Sequence, residues 1–227
     1  MQAIALLPEA LGSFVNSLLI VVAALFPIVN PLGMAPIFLS YTVGADARTR
    51  DCLARRIAYN SFALATVSLI AGSYILHFFG LSLPAVQLGG GLVVAATGWR
   101  ILHRGADDPQ HKGPAPSPEE VLASAFYPLT MPLTVGPGSI AVMLAIGSNA
   151  PEASAGNDYL LPHAMGGLAG VAIVALSIYL SYRYAEPILR RLGDSGVNVF
   201  LRLSAFILLC IGVQILLNGY HDIAQAG

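Results

Sequence analysis

Six stretches of the chain are long, apolar and almost free of formal charge, and they leave a lipid bilayer as its natural solvent. They run from Ala10 to Ala45, Ile57 to Leu76, Gly80 to Trp99, Val121 to Pro151, Leu160 to Tyr182 and Val197 to Leu217. The only Asp, Glu, Lys or Arg within any of them is Arg202. A hydrocarbon core about 30 Å thick needs about 20 apolar residues per helical crossing, so every stretch is long enough to span. Composition agrees, because 10% of the residues are charged where a soluble domain carries about 25%. The expected fold is therefore an all-α polytopic membrane protein with six transmembrane helices.

The cations divide the loops into two kinds. Arg48, Arg50, Arg55 and Arg56 lie between spans 1 and 2, Arg100, Arg104 and Lys112 between spans 3 and 4, and Arg183, Arg190 and Arg191 between spans 5 and 6. The other connections and both termini hold none. Positive residues accumulate in cytoplasmic loops, so alternate loops face the cytoplasm and both termini face outside. No cleavable signal is expected, since Met1 to Glu9 lacks a basic region and the apolar run that follows is too long for one. Cys52 and Cys210 fall on the cytoplasmic side and within span 6, which makes a disulfide between them implausible. No cofactor, metal cluster or nucleic-acid partner is expected.

The segment from Arg100 to Glu120 contains Pro109, Pro114, Pro116 and Pro118 and reads as a cytoplasmic linker. It divides the chain into residues 1–100, a linker at 101–120 and residues 121–227, with three spans on each side. Three is odd, so the second half enters the membrane from the opposite face and the two halves form inverted repeats. A constant offset of 101 residues tests this. It places Pro27, Pro31 and Pro36 on Pro128, Pro132 and Pro137, with Leu32 on Leu133 and Ala24 on Ala125.

Spans 1 and 4 are longer than a straight crossing and carry these prolines near their middles, so both should be discontinuous helices. Asn30 before Pro31 has the form of a helix cap followed by proline at the first helical position. Gly136 before Pro137 offers a second start, with Gly138 and Ser139 in the first turn. Broken backbone at membrane depth is tolerated only inside protein or beside a cavity. Half-helix N-termini suit a carboxylate and the opposing carbonyls suit an ammonium, so the pair of breaks matches a small zwitterionic solute. The candidate site comprises Asn30, Pro31, Gly33, Pro36, Thr130, Pro132, Thr134, Gly136, Pro137, Gly138 and Ser139, with no formal countercharge among them. Close packing without a ligand is the competing reading of the same small and kinking residues.

Other residues are less specific. Arg202 is either functional or snorkels toward cytoplasmic headgroups. Gly89, Gly90 and Gly91 suit close helix contact, and His77 and His163 sit near outer span ends. The spans offer no carboxylate for a proton relay.

The motifs NPLGMAPIFL in span 1 and FYPLTMPLTVGPGSIA in span 4, with GLSLPAVQLGGGLV in span 3 and RLSAFILLCIGVQILLNG in span 6, resemble the MarC family of bacterial and archaeal membrane proteins. The resemblance implies a six-helix inner-membrane protein related to carriers of small neutral amino acids, including a glycine and alanine carrier. Its two broken-helix motifs correspond to Asn30, Pro31, Gly33 and Pro36, and to Pro132, Thr134, Gly136, Pro137, Gly138 and Ser139. One departure is Gln87, where the family often has Arg, and Arg202 is a candidate for the partner such an Arg would have had.

The expected function is thus a secondary transporter of glycine-like or alanine-like amino acids, working by alternating access. No coupling ion is legible, and a homo-oligomer is compatible with the sequence. An exporter of drugs or other small organic solutes is the second transport reading and needs a larger cavity. An intramembrane hydrolase using Ser139 is disfavoured, because the nearest later histidine, His163, lies toward the outer face, out of reach of mid-membrane. The chain is not expected to be an enzyme.

Overall fold

The computed structural model describes residues 2–103, 117–148 and 157–226. Arg104, Pro109, Lys112, Pro114 and Pro116 of the expected linker lie outside them. Every element among the described residues is helical, in the order α1 (Gln2–Val29), α2 (Pro31–Tyr41), α3 (Ala47–Phe79), α4 (Leu83–His103) and α5 (Pro118–Ala123), then a wide-turned segment Ala125–Thr134, α6 (Pro137–Ser148), α7 (Asn157–Arg183) and α8 (Ala185–Ala226). Among them four helical stretches are long and apolar enough to cross a membrane: Ala10–Val29, Leu83–His103, Leu160–Arg183 and Ser195–Gln225. The Ala125–Thr134 segment and α6 make a fifth if taken as one span bent by 67°. The charge-free 57–76 stretch lies within α3, whose 33 residues extend about 50 Å at 1.5 Å per residue.

Local chemistry sets the helix ends. Asp46 caps α3 by accepting the amide of Thr49 at 3.0 Å, and Gly80 closes it with φ 63°, a conformation open to glycine at no steric cost. Ser117 and Glu120 form a reciprocal capping box on α5. Gly193, with φ 66° and ψ 169°, breaks the helical geometry of α8.

The core lies where α1, α2, α3, α6 and α7 meet, and Val21, Leu25, Phe38, Leu53, Ile57, Met143 and Ile178 are fully buried there. Large apolar side chains also cover the outside, among them Phe78, Val67, Ile70, Leu161 and Val199. A water-soluble surface seldom carries so continuous an apolar cover, whereas lipid meets it without cost. Association between the helices then relies on close backbone approach at small residues. A Cβ at Gly147 of α6 would lie 1.9 Å from the Leu69 carbonyl of α3, and one at Gly166 of α7 would lie 2.2 Å from the Phe14 carbonyl of α1. Gly212 of α8 packs on Ala95 of α4 in the same way.

One end of the bundle is tied by ions. Asp51 on α3 accepts from Tyr179 at 2.9 Å and from Arg183 at 2.7 Å, both on α7, and from Arg55 at 2.5 Å. Arg50 pairs with Glu186 of α8 at 2.5 Å. Partial burial works to raise the Asp51 carboxyl, but the hydrogen bonds from Tyr179 and Arg55 and the charges of Arg183 and Arg55 outweigh it, so the group is held below the usual carboxylate range. A depressed carboxylate stabilises the fold above its unfolded value, about 3.9, and that contribution disappears as pH falls through the folded value. Asp51→Asn is therefore expected to lower the unfolding temperature in detergent at neutral pH. The gap to the parent chain should narrow below about pH 4, and a gap independent of pH would refute the assignment.

Candidate functional site

The first break is a single residue. Asn30 takes φ 45° and ψ 60°, and its side-chain oxygen accepts the amide of Gly33 at 3.2 Å. The backbone ladder continues around it, from the Asn30 amide to the Phe26 carbonyl at 2.9 Å and from the Met34 amide to the Asn30 carbonyl at 3.0 Å. Pro27 stays inside α1, Pro31 opens α2 and Pro36 lies within α2. The capping side chain leaves room only for glycine at position 33, since a Cβ there would lie 2.2 Å from the Asn30 side-chain nitrogen Nδ2. Asparagine is one of the few residues that enter the left-handed region readily and cap a helix. Asn30→Gly should cost a few tenths of a kcal/mol and Asn30→Ala about 1–2 kcal/mol, an order that thermal unfolding of the two variants tests directly.

The second break is longer. Pro128 and Pro132 remove backbone donors, and Tyr127 (φ −121°, ψ 125°) and Met131 (φ −116°, ψ 121°) ahead of them are extended, as residues before proline tend to be. The Ser124 carbonyl, left without an α-helical donor by Pro128, accepts from the Leu129 amide at 3.2 Å, and threonine hydroxyls add bonds to the carbonyls nearby: Thr130 donates to Ala125 at 2.6 Å and Thr134 to Leu129 at 2.7 Å. The Thr134 and Tyr182 hydroxyls also lie 2.8 Å apart. Hydroxyl bonding of this kind is how membrane helices satisfy backbone at proline interruptions. Beyond Val135 and Gly136 the chain turns into α6, which starts at Pro137.

A cavity of about 380 Å³ opens against this second break. Pro132, Thr134, Gly136, Pro137, Gly138 and Ser139 line it, with Met34 and Ile37 of α2, Val94, Thr97 and Arg100 of α4, and Leu208 of α8. Gly138 and Ser139 stand in the first turn of α6, where amides have no acceptor within the helix. The six expected residues from Pro132 to Ser139 are thus brought together, whereas Asn30, Pro31, Gly33, Pro36 and Thr130 do not line the cavity. Asn30 and Thr130 use their polar atoms in the backbone repairs described above.

The α4 wall was not among the expected site residues. Val94, Thr97 and Ile101 recur at helical spacing after Gly90, which is the signal that would have placed them on one face with Arg100 beside it. Arg100 supplies a formal positive charge to a wall expected to have none. The lining residues include neither histidine nor carboxylate, so none of them offers Ser139 a base. No group of His, Cys, Asp and Glu able to hold a metal occurs among the described residues.

Gly90 and Val94 of α4 form one side of a partition. A Cβ at Gly90 would lie 2.4 Å from the Ala141 Cβ, and one at Gly138 would lie 2.1 Å from Val94. A second cavity of about 310 Å³, lined in part by Ala141, Gln87 and Asn218, lies beyond that contact. Gln87 is at this far end, with its Cβ 3.0 Å from a Cβ placed on Gly219 of α8. Arg202 is exposed sixteen residues before Asn218, about 24 Å along the same helix. Arg202 is therefore not the partner of position 87.

The model of the MarC family integral membrane proteins matches residues 15–224. Inner membrane protein MarC of Escherichia coli strain K12 is 32% identical over 206 residues, covering 88% of this chain and 92% of the relative. The protein of the same name from Shigella flexneri matches to the same extent. No solved structure matches the chain significantly. With the family model covering nearly every helix and the broken-helix motifs falling inside it, the chain belongs to the MarC family of integral membrane proteins.

Proposed function

We propose that this protein is a secondary transporter of small neutral amino acids of the glycine and alanine class, resident in the inner membrane with both termini outside. The observation that carries the reading is the cavity at the bent break. There the free first-turn amides of α6 and the guanidinium of Arg100 suit a carboxylate. Its volume of about 380 Å³ stands at the small end of ligand pockets, which run from about 300 to 1,000 Å³. A small solute suits that space better than a drug-sized one, and Arg100 gives the zwitterion a countercharge at one end.

Six spans in two inverted halves fit the way the helices neighbour one another. α1 packs on α7 as α3 packs on α6, and α4 packs on α6 as α1 and α2 pack on α8. The α4–α8 and α3–α7 contacts map onto themselves. Exchanging span 1 with 4, 2 with 5 and 3 with 6 therefore returns these contacts, which supports the inverted-repeat reading, although the small α7–α8 contact has no α3–α4 counterpart of its kind. Alternating access then follows from movement of one half against the other.

Uptake of labelled glycine and L-alanine into proteoliposomes, with and without sodium or proton gradients, tests the proposal. Saturable flux is expected, and Arg100→Gln should raise KM about 10- to 100-fold, the worth of a charged hydrogen bond. Absence of flux beside an active reference carrier would overturn it.

A further inference from the structure

The second cavity is lined by five helices, and every one but α6 contributes one polar side chain: Ser17 of α1, Gln87 of α4, His163 of α7 and Asn218 of α8. Its other walls are aliphatic, with Ile20, Ile146 and Ile215 among them. The side-chain oxygen of Gln87 is buried and has no hydrogen-bond partner. A buried acceptor left unpaired is unfavourable, and a native structure keeps one where something else completes it. Asn218 stands differently, because its oxygen accepts from Gln214 at 2.9 Å, which leaves its amide nitrogen to donate. One wall thus offers an acceptor and another a donor, separated by aliphatic surface.

The position of this cavity gives the pair a meaning. It lies on the opposite side of the Gly90–Ala141 and Val94–Gly138 contacts from the cavity at the bent break. Along α4 the two cavities are addressed by Gln87 and by Thr97, about 15 Å apart. Along α6 they are addressed by Ala145 and by Ser139.

We infer that the second cavity is a binding site for a small neutral amino acid, with the ammonium donating to the Gln87 oxygen and the carboxylate accepting from the Asn218 amide. A solute held there waits on one side of a closed partition while the cavity at the bent break serves the other. The identity of the solute rests on the transport reading. The existence of the site rests on the unpaired oxygen and the cavity around it.

The experiment measures modification of single cysteines in the purified full chain, with Cys52→Ser and Cys210→Ser as background. Ala145→Cys reports the second cavity and Ala96→Cys the first. N-ethylmaleimide should modify Ala145→Cys more slowly in the presence of L-alanine. Adding Gln87→Leu should weaken that protection about tenfold or more, as expected for loss of a charged hydrogen bond, while the rate without L-alanine stays the same. Gln87→Glu keeps an acceptor and should keep the protection, which separates loss of the contact from misfolding. Protection of Ala96→Cys alone would overturn this site and leave the transport reading intact. Protection of Ala145→Cys that Gln87→Leu leaves unchanged would overturn the role of Gln87. Protection with the Gln87 dependence but no flux in proteoliposomes would support the site and sink the transport reading instead.

Discussion

Gly138→Ala is expected to cut the proposed amino acid flux by at least tenfold, and Val94→Ala in the same chain to restore most of it. The added methyl would lie 2.1 Å from Val94 and 3.3 Å from the Gly90 carbonyl, at the contact that separates the two cavities. Val94 is branched and 3% exposed, so its rotamers are few and its neighbours close. Overpacking of this kind costs about 1–3 kcal/mol. If the strain falls on the closed arrangement and not on an open one, the balance between them moves by about 10- to 100-fold. Removing the Val94 methyls returns the space. Flux in proteoliposomes and thermal unfolding of the same preparations check both halves of the claim, and a double variant no better than Gly138→Ala would show that the contact is not what limits it.

Gly147→Leu is expected to produce the largest loss of stability of any glycine substitution in the bundle, about 3 kcal/mol or more in detergent. The obstacle is the backbone carbonyl of Leu69, 1.9 Å from the position of a Cβ. A carbonyl within a helix cannot turn aside without losing its own hydrogen bond. Three residues away along each helix, the same two helices meet again, where a Cβ at Gly72 would lie 2.6 Å from the Leu144 carbonyl. Helices α3 and α6 are thus held at a separation only glycine permits, and larger side chains must drive them apart. Gly89→Ala is the matched control, because nothing lies within 4 Å of a Cβ there. It should be neutral or stabilising by up to about 1 kcal/mol, the helix preference of alanine over glycine. If the two variants unfold alike, the close approach of α3 and α6 contributes little.

Charge-free length was enough to reveal a bundle of membrane helices, because lipid leaves a chain few alternatives. The restarts were legible too, at Pro31 behind its Asn30 cap and at Pro137 behind Gly136, but the way the two breaks differ was not. Prolines repeat at an offset of 101 residues, yet the helices that restart after the breaks begin at Pro31 and Pro137, which are not partners at that offset. Pro36, the counterpart of Pro137, lies inside α2. What decides where a helix breaks is which group completes the freed backbone, and the two halves use different groups. Asn30 does so from a left-handed turn, and the Leu129 amide does so in the second break, with the Thr130 and Thr134 hydroxyls adding bonds nearby. The site lies at one break and not the other. Residues from Pro132 to Ser139 sit at the 67° bend against which the cavity opens, whereas Asn30, Gly33 and Thr130 lie outside its lining. Arg100 and Thr97 escaped notice because only packing shows that the α4 face behind the glycine run is a wall.

Tyr182 couples these two dissimilar breaks. Its ring stacks on Phe38 of α2 with centroids 4.7 Å apart, and its hydroxyl meets Thr134 in the bent segment. The ring is 3% exposed and has little room to follow one neighbour while keeping the other. Moving either interrupted helix therefore loads the same aromatic lever, and the two breaks are joined through a side chain that lines neither cavity.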